Sequence, residues 1–490
     1  MSRTRTLLLT LAGLGGVAWW LRRPESDEIV GSMGTAGRNA TVARMGARTG
    51  GRWAVTQARK TFASAERREA LDAEFELKTT EDVVSSLGNL KGAMMKLGQM
   101  ASYLDLGLPE NVRLSLAQLQ SDAPPMSGDL AATVIEEELG RHPDELFVEW
   151  DPVPIASASI GQVHRAMTHD GQAIAIKVQY PGVAEAIGSD LRTNDALFSA
   201  LRLMFPGIDT STITEELRDR LTEELDYELE AKNQRYFANH FEGHPFINVP
   251  RVLDELSTSR VLTSELVVGS TFAEVLEWEQ AEKNLAAETL FRFSFGSIYR
   301  LAAFNGDPHP GNYIFHPGGR ITFLDFGLVK HFSEDDTKLF ESLIVNMVVE
   351  RDIGAFRRDI EEAGLLQPGS PFSDELIGEY FSYFYDFVME DREFTFTDEY
   401  SAEGVRQIFE TGGDHGELKK VLNVPSSFVV LQRINLGLIA LFGQLESTGN
   451  WRRVAEELWP FVNAGPSTPM GETIAEWSAS SGLRSGHEGL

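Results

Sequence analysis

Cysteine is absent from all 490 residues, which excludes disulfides and thiolate metal sites and fits a reducing compartment. Positive charge is scarce, with 44 Lys and Arg against 73 Asp and Glu and a net charge of −29. A body this acidic disfavours nucleic acid as a partner. A full-length apolar span is missing as well. The uncharged stretch Leu7 to Leu21 has fifteen residues, roughly 22 Å as a helix against a hydrocarbon core of about 30 Å. Arg3, Arg5, Arg22 and Arg23 bracket it, and Trp19 and Trp20 at its end suit an interface. Residues 1–68 hold twelve basic and four acidic residues, so the remainder carries −37. This predicts a membrane anchor or interfacial helix over residues 1–28 facing a membrane lipid surface, with the catalytic body cytoplasmic. A cleaved secretory leader is the rival, but no clear small-x-small site follows.

What is present is a set of motifs that suit phosphate chemistry. Asp307-Pro-His-Pro-Gly-Asn312 is followed thirteen residues later by Asp325-Phe-Gly327. Tyr313 to Phe315 and Ile321 to Leu324 read as two strands joined through His316-Pro-Gly-Gly-Arg320, a hairpin by its turn residues. Such a hairpin places Asn312 at its entrance and Asp325 at its exit, around one cation. In a protein-kinase-like core the first Asp orients and deprotonates an acceptor. There the Asn and the second Asp hold the Mg2+ that bridges the phosphates of ATP. Asp307 is therefore the candidate catalytic residue, and Asn312 and Asp325 the candidate metal ligands.

Upstream, Ile155 to Val163 lies on the glycine-rich pattern with Ala156, Ala158, Gly161 and Val163 at its key positions and Ser159 between them. Alanine at two of the three glycine positions predicts a stiffer loop. Ile174-Ala-Ile-Lys177 matches the strand whose lysine reaches the α- and β-phosphates. A carboxylate partner is expected on a long helix over residues 212–240, and Glu230 is the choice, with Asp226 one turn earlier on the same face. The segment Arg260 to Gly269 reads as a strand and a linker. Glu265 and Val267 there are candidates to meet an adenine ring through their backbone.

Lys96-Leu-Gly-Gln99, the alanine-bearing loop, Lys177, the Glu224-x-Asp226 pair, the Asp307 to Asn312 loop and Asp325-Phe-Gly together resemble the UbiB (AarF) family of atypical kinase-like proteins. The resemblance covers roughly residues 80–350. It implies an α+β, bilobal protein-kinase-like fold with an N-terminal helical extension lying across the active site. Lys96 and Gln99 would then stand near the nucleotide, and Glu224 and Asp226 would contact the extension as regulatory residues. It also implies ATP binding and hydrolysis in place of ordinary protein phosphorylation, and a role beside lipid-biosynthesis enzymes in isoprenoid quinone or other lipid metabolism. The residues agree in part. No A-P-E follows Asp325, the next proline is Pro368, and Asn305-Gly306 stand where a kinase carries His-Arg before its Asp.

The organisation expected is an anchor over 1–28, a basic linker and helical extension over 29–125, an N-lobe over 126–268, a mostly helical C-lobe over 269–462 and a disordered tail over 463–490. The tail assignment rests on its Gly, Ser and Pro content. Two rival functions stay open: a small-molecule phosphotransferase of the aminoglycoside or choline kinase type, and a nucleotide-gated pseudokinase scaffold.

Overall fold

The computed structural model describes residues 126–158, 160–181, 225–409, 415–423 and 426–481. All of them belong to one of the two compact units into which the chain divides. The anchor and extension expected over residues 1–125 lie outside the described residues. Among the described residues no helix is long and apolar enough to cross a membrane.

The fold is α+β, bilobal and kinase-like. Its first lobe begins with α1 (Gly128–Leu139), followed by β1 (Glu149–Trp150), β2 (Ala156–Ser157), β3 (Gly161–Met167) and β4 (Ala173–Gln179). Helix α2 (Tyr227–His240) and the short strand β5 (Ile247–Asn248) follow, and β6 (Val261–Glu265) completes an antiparallel sheet of order β1-β3-β4-β6 with β2 also on β3. Strand β4 alternates as its sequence dictates. Ile174, Ile176 and Val178 are buried against Ala131, Val134 and Ile135 of α1, and Lys177 points to the opposite face.

The second lobe is built on α3 (Gln280–Leu301), a helix with buried residues from Ala286 to Leu301. Ala302 ends it in the left-handed region, φ 43°, and β7 (Ala303–Asn305) begins. Strands β8 (Tyr313–His316) and β9 (Arg320–Phe323) form the predicted hairpin, and Gly318 and Gly319 supply the positive φ of its turn. Strand β10 (Val329–His331) pairs antiparallel with β7, Asn305 facing Val329. After it come α4 (Glu334–Ile344), α5 (Asp398–Phe409), α6 (Ser426–Gln444) and α7 (Trp451–Leu458), with shorter helices between. One apolar cluster joins them. The Trp451 ring lies 5.3 Å from Phe291, 5.4 Å from Phe396 and 5.7 Å from Phe442. Tyr380 and Phe387 belong to the same core.

The tail corrects the composition-based expectation. Residues Pro469–Ser481 form α8, not a disordered segment. Met470 and Ile474 are buried, Thr468 bonds Glu288 and Arg292 of α3, and Trp477 meets His244 edge-on at 4.6 Å. Tertiary burial of two apolar residues and one cap-position hydroxyl outweighs a polar, Gly- and Ser-rich composition.

His244 also makes this corner pH-sensitive. Its Nδ1 accepts the backbone N–H groups of Phe246 and Ile247, which requires an unprotonated nitrogen. Burial, then Arg300, His240 and Arg292, lower its pKa to about 3, and burial and Arg300 lower that of His240 to about 4. Both imidazoles bind fewer protons folded than unfolded between those values and 6.5. Stability from them is therefore intact above pH 6.5 and is lost as pH falls toward 4. Thermal melts from pH 7 to pH 4.5 should show that decline, on the order of a few kcal/mol. His244→Asn, which keeps an acceptor but cannot titrate, should make it shallower and leave the His240 share; an unchanged slope refutes the assignment.

Candidate functional site

The lysine of β4 is held between two carboxylates. Lys177 Nζ donates to both oxygens of Glu230, at 2.7 and 2.8 Å across 53 positions of sequence, and lies 3.7 Å from Asp325 Oδ2. Helix α2 presents Glu230 from its buried face, with Tyr227 one turn earlier, whose ring centre is 5.0 Å from the ammonium. Burial pulls the lysine pKa down, but Asp325, Glu230 and Tyr227 outweigh it, so the net shift is upward. Lys177 stays charged throughout the neutral range.

Two ladders bring the loop carboxylates to the same place. The β8–β9 hairpin sets Asn312 beside Leu324, whose N–H bonds the Asn312 carbonyl at 3.0 Å. The β7–β10 pair sets the residues before Asp307 against those after Gly327, and Gly306 N–H donates to the Leu328 carbonyl. Asn312 Nδ2 donates to Asp307 Oδ2 at 3.0 Å and to its carbonyl at 3.1 Å. The phenol of buried Tyr313 registers both aspartates: burial, then Asp307, then Asp325, raise its pKa well above the usual value.

Several residues that the motifs do not name hold this arrangement. Asn305 donates through Nδ2 to the Asp325 carbonyl at 2.7 Å and accepts the Asp307 N–H through Oδ1, tying the two aspartate segments together. Its signal in the sequence is its position, two residues before Asp307. Asn233 of α2 donates to the Phe326 carbonyl at 3.1 Å, and His331 of β10 reaches Asn233 Oδ1 at 3.3 Å. In the first lobe, buried Gln162 clamps both the N–H and the carbonyl of Met126. Its Nε2 also donates to His164 Nε2, so His164 Nδ1–H donates to the Asp151 carbonyl.

The loop differs from a phosphate-cradling glycine turn. Ala156 pairs with Val163 in the β2–β3 ladder, and Ala158 N–H is turned inward onto the Gly161 carbonyl at 2.9 Å. Gly161 is bare because its own surroundings require it: a β-carbon there would meet the Val178 carbonyl oxygen at 2.4 Å and the Tyr227 hydroxyl at 2.7 Å. At the linker, Glu265 N–H donates to the Arg251 carbonyl, so any hydrogen bond from the Glu265 main chain to a purine comes through its carbonyl. Leu266 N–H donates to the Ala173 carbonyl, and half-buried Val267 follows.

Asp226 is the clearest correction. The long helix predicted over residues 212–240 is interrupted, since α2 starts at Tyr227 with Asp226 as its N-cap. The Asp226 carboxylate accepts the N–H groups of Glu228 and Leu229. An Asp that can satisfy two orphan donors favours a helix start over a helix interior, which an acidic run conceals in sequence. Lys96, Gln99, Ser159 and Glu224 lie outside the described residues.

Among the described residues no cluster of three or more His, Cys, Asp or Glu forms a metal site. What the site offers is the Asp325 carboxylate and the amide oxygen of Asn312, whose Nδ2 is turned toward Asp307. Two hard oxygen donors fit Mg2+, which keeps few protein ligands and completes its shell with phosphate and water. After Asp325-Phe-Gly the chain passes through β10 directly into α4, capped by Ser333, without a segment that could lay out a peptide.

A family model for the ABC1 atypical kinase-like domain matches residues 118–358. Over 268 residues the chain is 34% identical to AarF domain-containing protein kinase 1 of Mus musculus, spanning 52% of this chain and 50% of that protein. Over 281 residues it is 29% identical to the mitochondrial atypical kinase COQ8 of Saccharomyces cerevisiae, spanning 57% and 56%. The chain thus spans about half the length of the curated relatives it matches. The solved structure of Rv3197 with erythromycin, from Mycobacterium tuberculosis, aligns with TM-score 0.58 and 30% identity, covering 80% of this chain and 98% of that one.

Proposed function

The chain belongs to the UbiB/AarF family, whose ABC1 atypical kinase-like domain it carries, and from that premise we propose that it is an ATP- and Mg2+-dependent atypical kinase or ATPase. The observation that carries the reading is the convergence of Lys177, Glu230 and Asp325 beside the hydrogen-bonded Asp307–Asn312 pair. Lys177, fixed by Glu230, supplies a positive charge for phosphate oxygens. Asn312 orients the Asp307 carboxylate to take a proton from an attacking water or hydroxyl. When bound, Mg2+ would neutralise triphosphate charge between Asn312 and Asp325. The direct passage from β10 into α4 favours water or a small acceptor over a protein substrate. The basic leader supports association with an anionic membrane surface, and the family resemblance supports a role in isoprenoid quinone or other lipid metabolism.

The test uses the full chain, with thermal shift and phosphate release measured with ATP in the presence and absence of Mg2+. Asp325→Asn keeps an acceptor for the Gly327 N–H, now 2.9 Å from Asp325 Oδ1, so the ligand-free protein should melt near wild type. Its Mg2+-dependent shift should vanish. Asp307→Asn should still bind nucleotide but turn over about 10²-fold more slowly or worse. Equal shifts in wild type and Asp325→Asn refute the site. Binding without any turnover in the wild type makes the chain a nucleotide-gated scaffold.

A further inference from the structure

Helix α6 lies wholly beyond residue 358, where the family model ends, yet its backbone is seated on the loop that carries Asp307. A β-carbon on Gly437 would stand 2.4 Å from Cγ of Pro308, 3.4 Å from its Cβ and 3.8 Å from its Cδ. Real β-carbons do not approach closer than about 3.0 Å, so nothing larger than hydrogen fits between helix and ring. Pro308 is buried and follows Asp307 directly. Its ring has no rotatable side-chain bond through which it could swing clear.

The helix has no room to retreat. Six residues on, a β-carbon at Gly443 would meet Ser401 Oγ at 2.4 Å and the Thr397 carbonyl at 2.9 Å, so α6 is equally close to the N-terminal turn of α5. Ser401 Oγ donates to the Ile439 carbonyl at 2.9 Å, and Leu438, Leu441 and Phe442 are buried in the core of the second lobe. An atom added at residue 437 must therefore move the Asp307–Pro308 segment, whose carboxylate accepts from Asn312 Nδ2 and whose backbone N–H is held by Asn305 Oδ1.

We propose that Gly437 is a positioning residue: the bare backbone of α6 at this point fixes the Pro308 ring and through it the direction of the Asp307 carboxylate. The proposal rests on the phosphoryl-transfer reading above. It assigns a role at the site to a segment that the kinase-like motifs do not reach.

The test is a double-mutant cycle in the full chain, reading kcat and KM for ATP with Mg2+ alongside a thermal melt. Gly437→Ala should lower kcat about 10- to 100-fold with KM within about twofold, since an error near 1 Å falls on Asp307 and not on Lys177 or Asp325. Pro308→Ala removes Cγ and leaves a contact near 3.4 Å. The Pro308→Ala/Gly437→Ala pair should therefore be faster than Gly437→Ala alone, a non-additivity that two independent structural lesions do not produce. If Gly437→Ala does not fold, the pair decides: fold and kcat recovered together support the role, and fold recovered without kcat overturns it. Wild-type turnover with Gly437→Ala unchanged overturns this role alone. A wild type without turnover overturns it together with the phosphoryl-transfer reading.

Discussion

Lys177→Met is expected to abolish turnover and to destabilise the chain by about 3–5 kcal/mol at pH 7, the range for breaking one partner out of a buried ion pair. Glu230 is 3% exposed, and Lys177 is its bidentate donor. Without the ammonium, the Glu230 carboxylate must stay buried beside Asp325 with its bidentate cation gone or take up a proton. Its pKa in the folded variant then rises above the unfolded value, so the variant's deficit is small near pH 4 and grows as pH rises toward 7. Chemistry and stability separate in the pair Lys177→Met/Glu230→Leu. Two apolar groups in place of two charges should recover most of the stability but none of the turnover. A Lys177→Met protein that melts like wild type at pH 7, or still turns over ATP, contradicts this placement of the lysine.

Gly161→Ala carries the second-largest expected effect. The added methyl meets the Val178 carbonyl oxygen at 2.4 Å, and that oxygen belongs to β4 one residue after Lys177. A backbone atom in a central strand cannot swing aside, so β3 and β4 must part where Gly161 faces Gln179 and Gln162 faces Val178. A cost of about 2–4 kcal/mol follows, typical of overpacking that the surroundings cannot relieve. Weaker nucleotide binding should accompany it because Lys177 moves with the strand. Tyr227→Phe removes the hydroxyl, 2.7 Å from the same methyl, but not the carbonyl, so it should rescue Gly161→Ala only in part. Melting and nucleotide titration of the three variants decide it. A Gly161→Ala chain matching wild type in both shows that the sheet yields more easily than its geometry allows.

What could be read from the residues was whatever local chemistry determines. The hairpin between Asn312 and Asp325 announces itself through Pro317, Gly318 and Gly319, and the alternation of β4 tells which face carries Lys177. The bilobal kinase-like fold was legible through the family resemblance that the motifs carry. Contacts between distant segments are another matter. Nothing near Gly161 reveals that Val178 and Tyr227 crowd it, and nothing near Gly437 reveals Pro308. Asp226 looks like one more acid on a helical face until its carboxylate is found on two backbone N–H groups. The helix α8 was hidden because its composition is polar and its stability draws on Thr468 and Met470 meeting Glu288 and Thr289, about 180 positions away.

The aromatic cluster around Trp451 sets a condition on chimeras between relatives. Phe291 belongs to the stretch recognised as the kinase-like domain, whereas Phe396, Phe442 and Trp451 come after it. A graft that stops at residue 358 would carry one of these four rings and leave the other three behind, exposing large apolar surface on both sides. An exchange of catalytic segments therefore has to travel with the chain at least through Trp451, or it will yield an aggregating fragment rather than a transplanted enzyme.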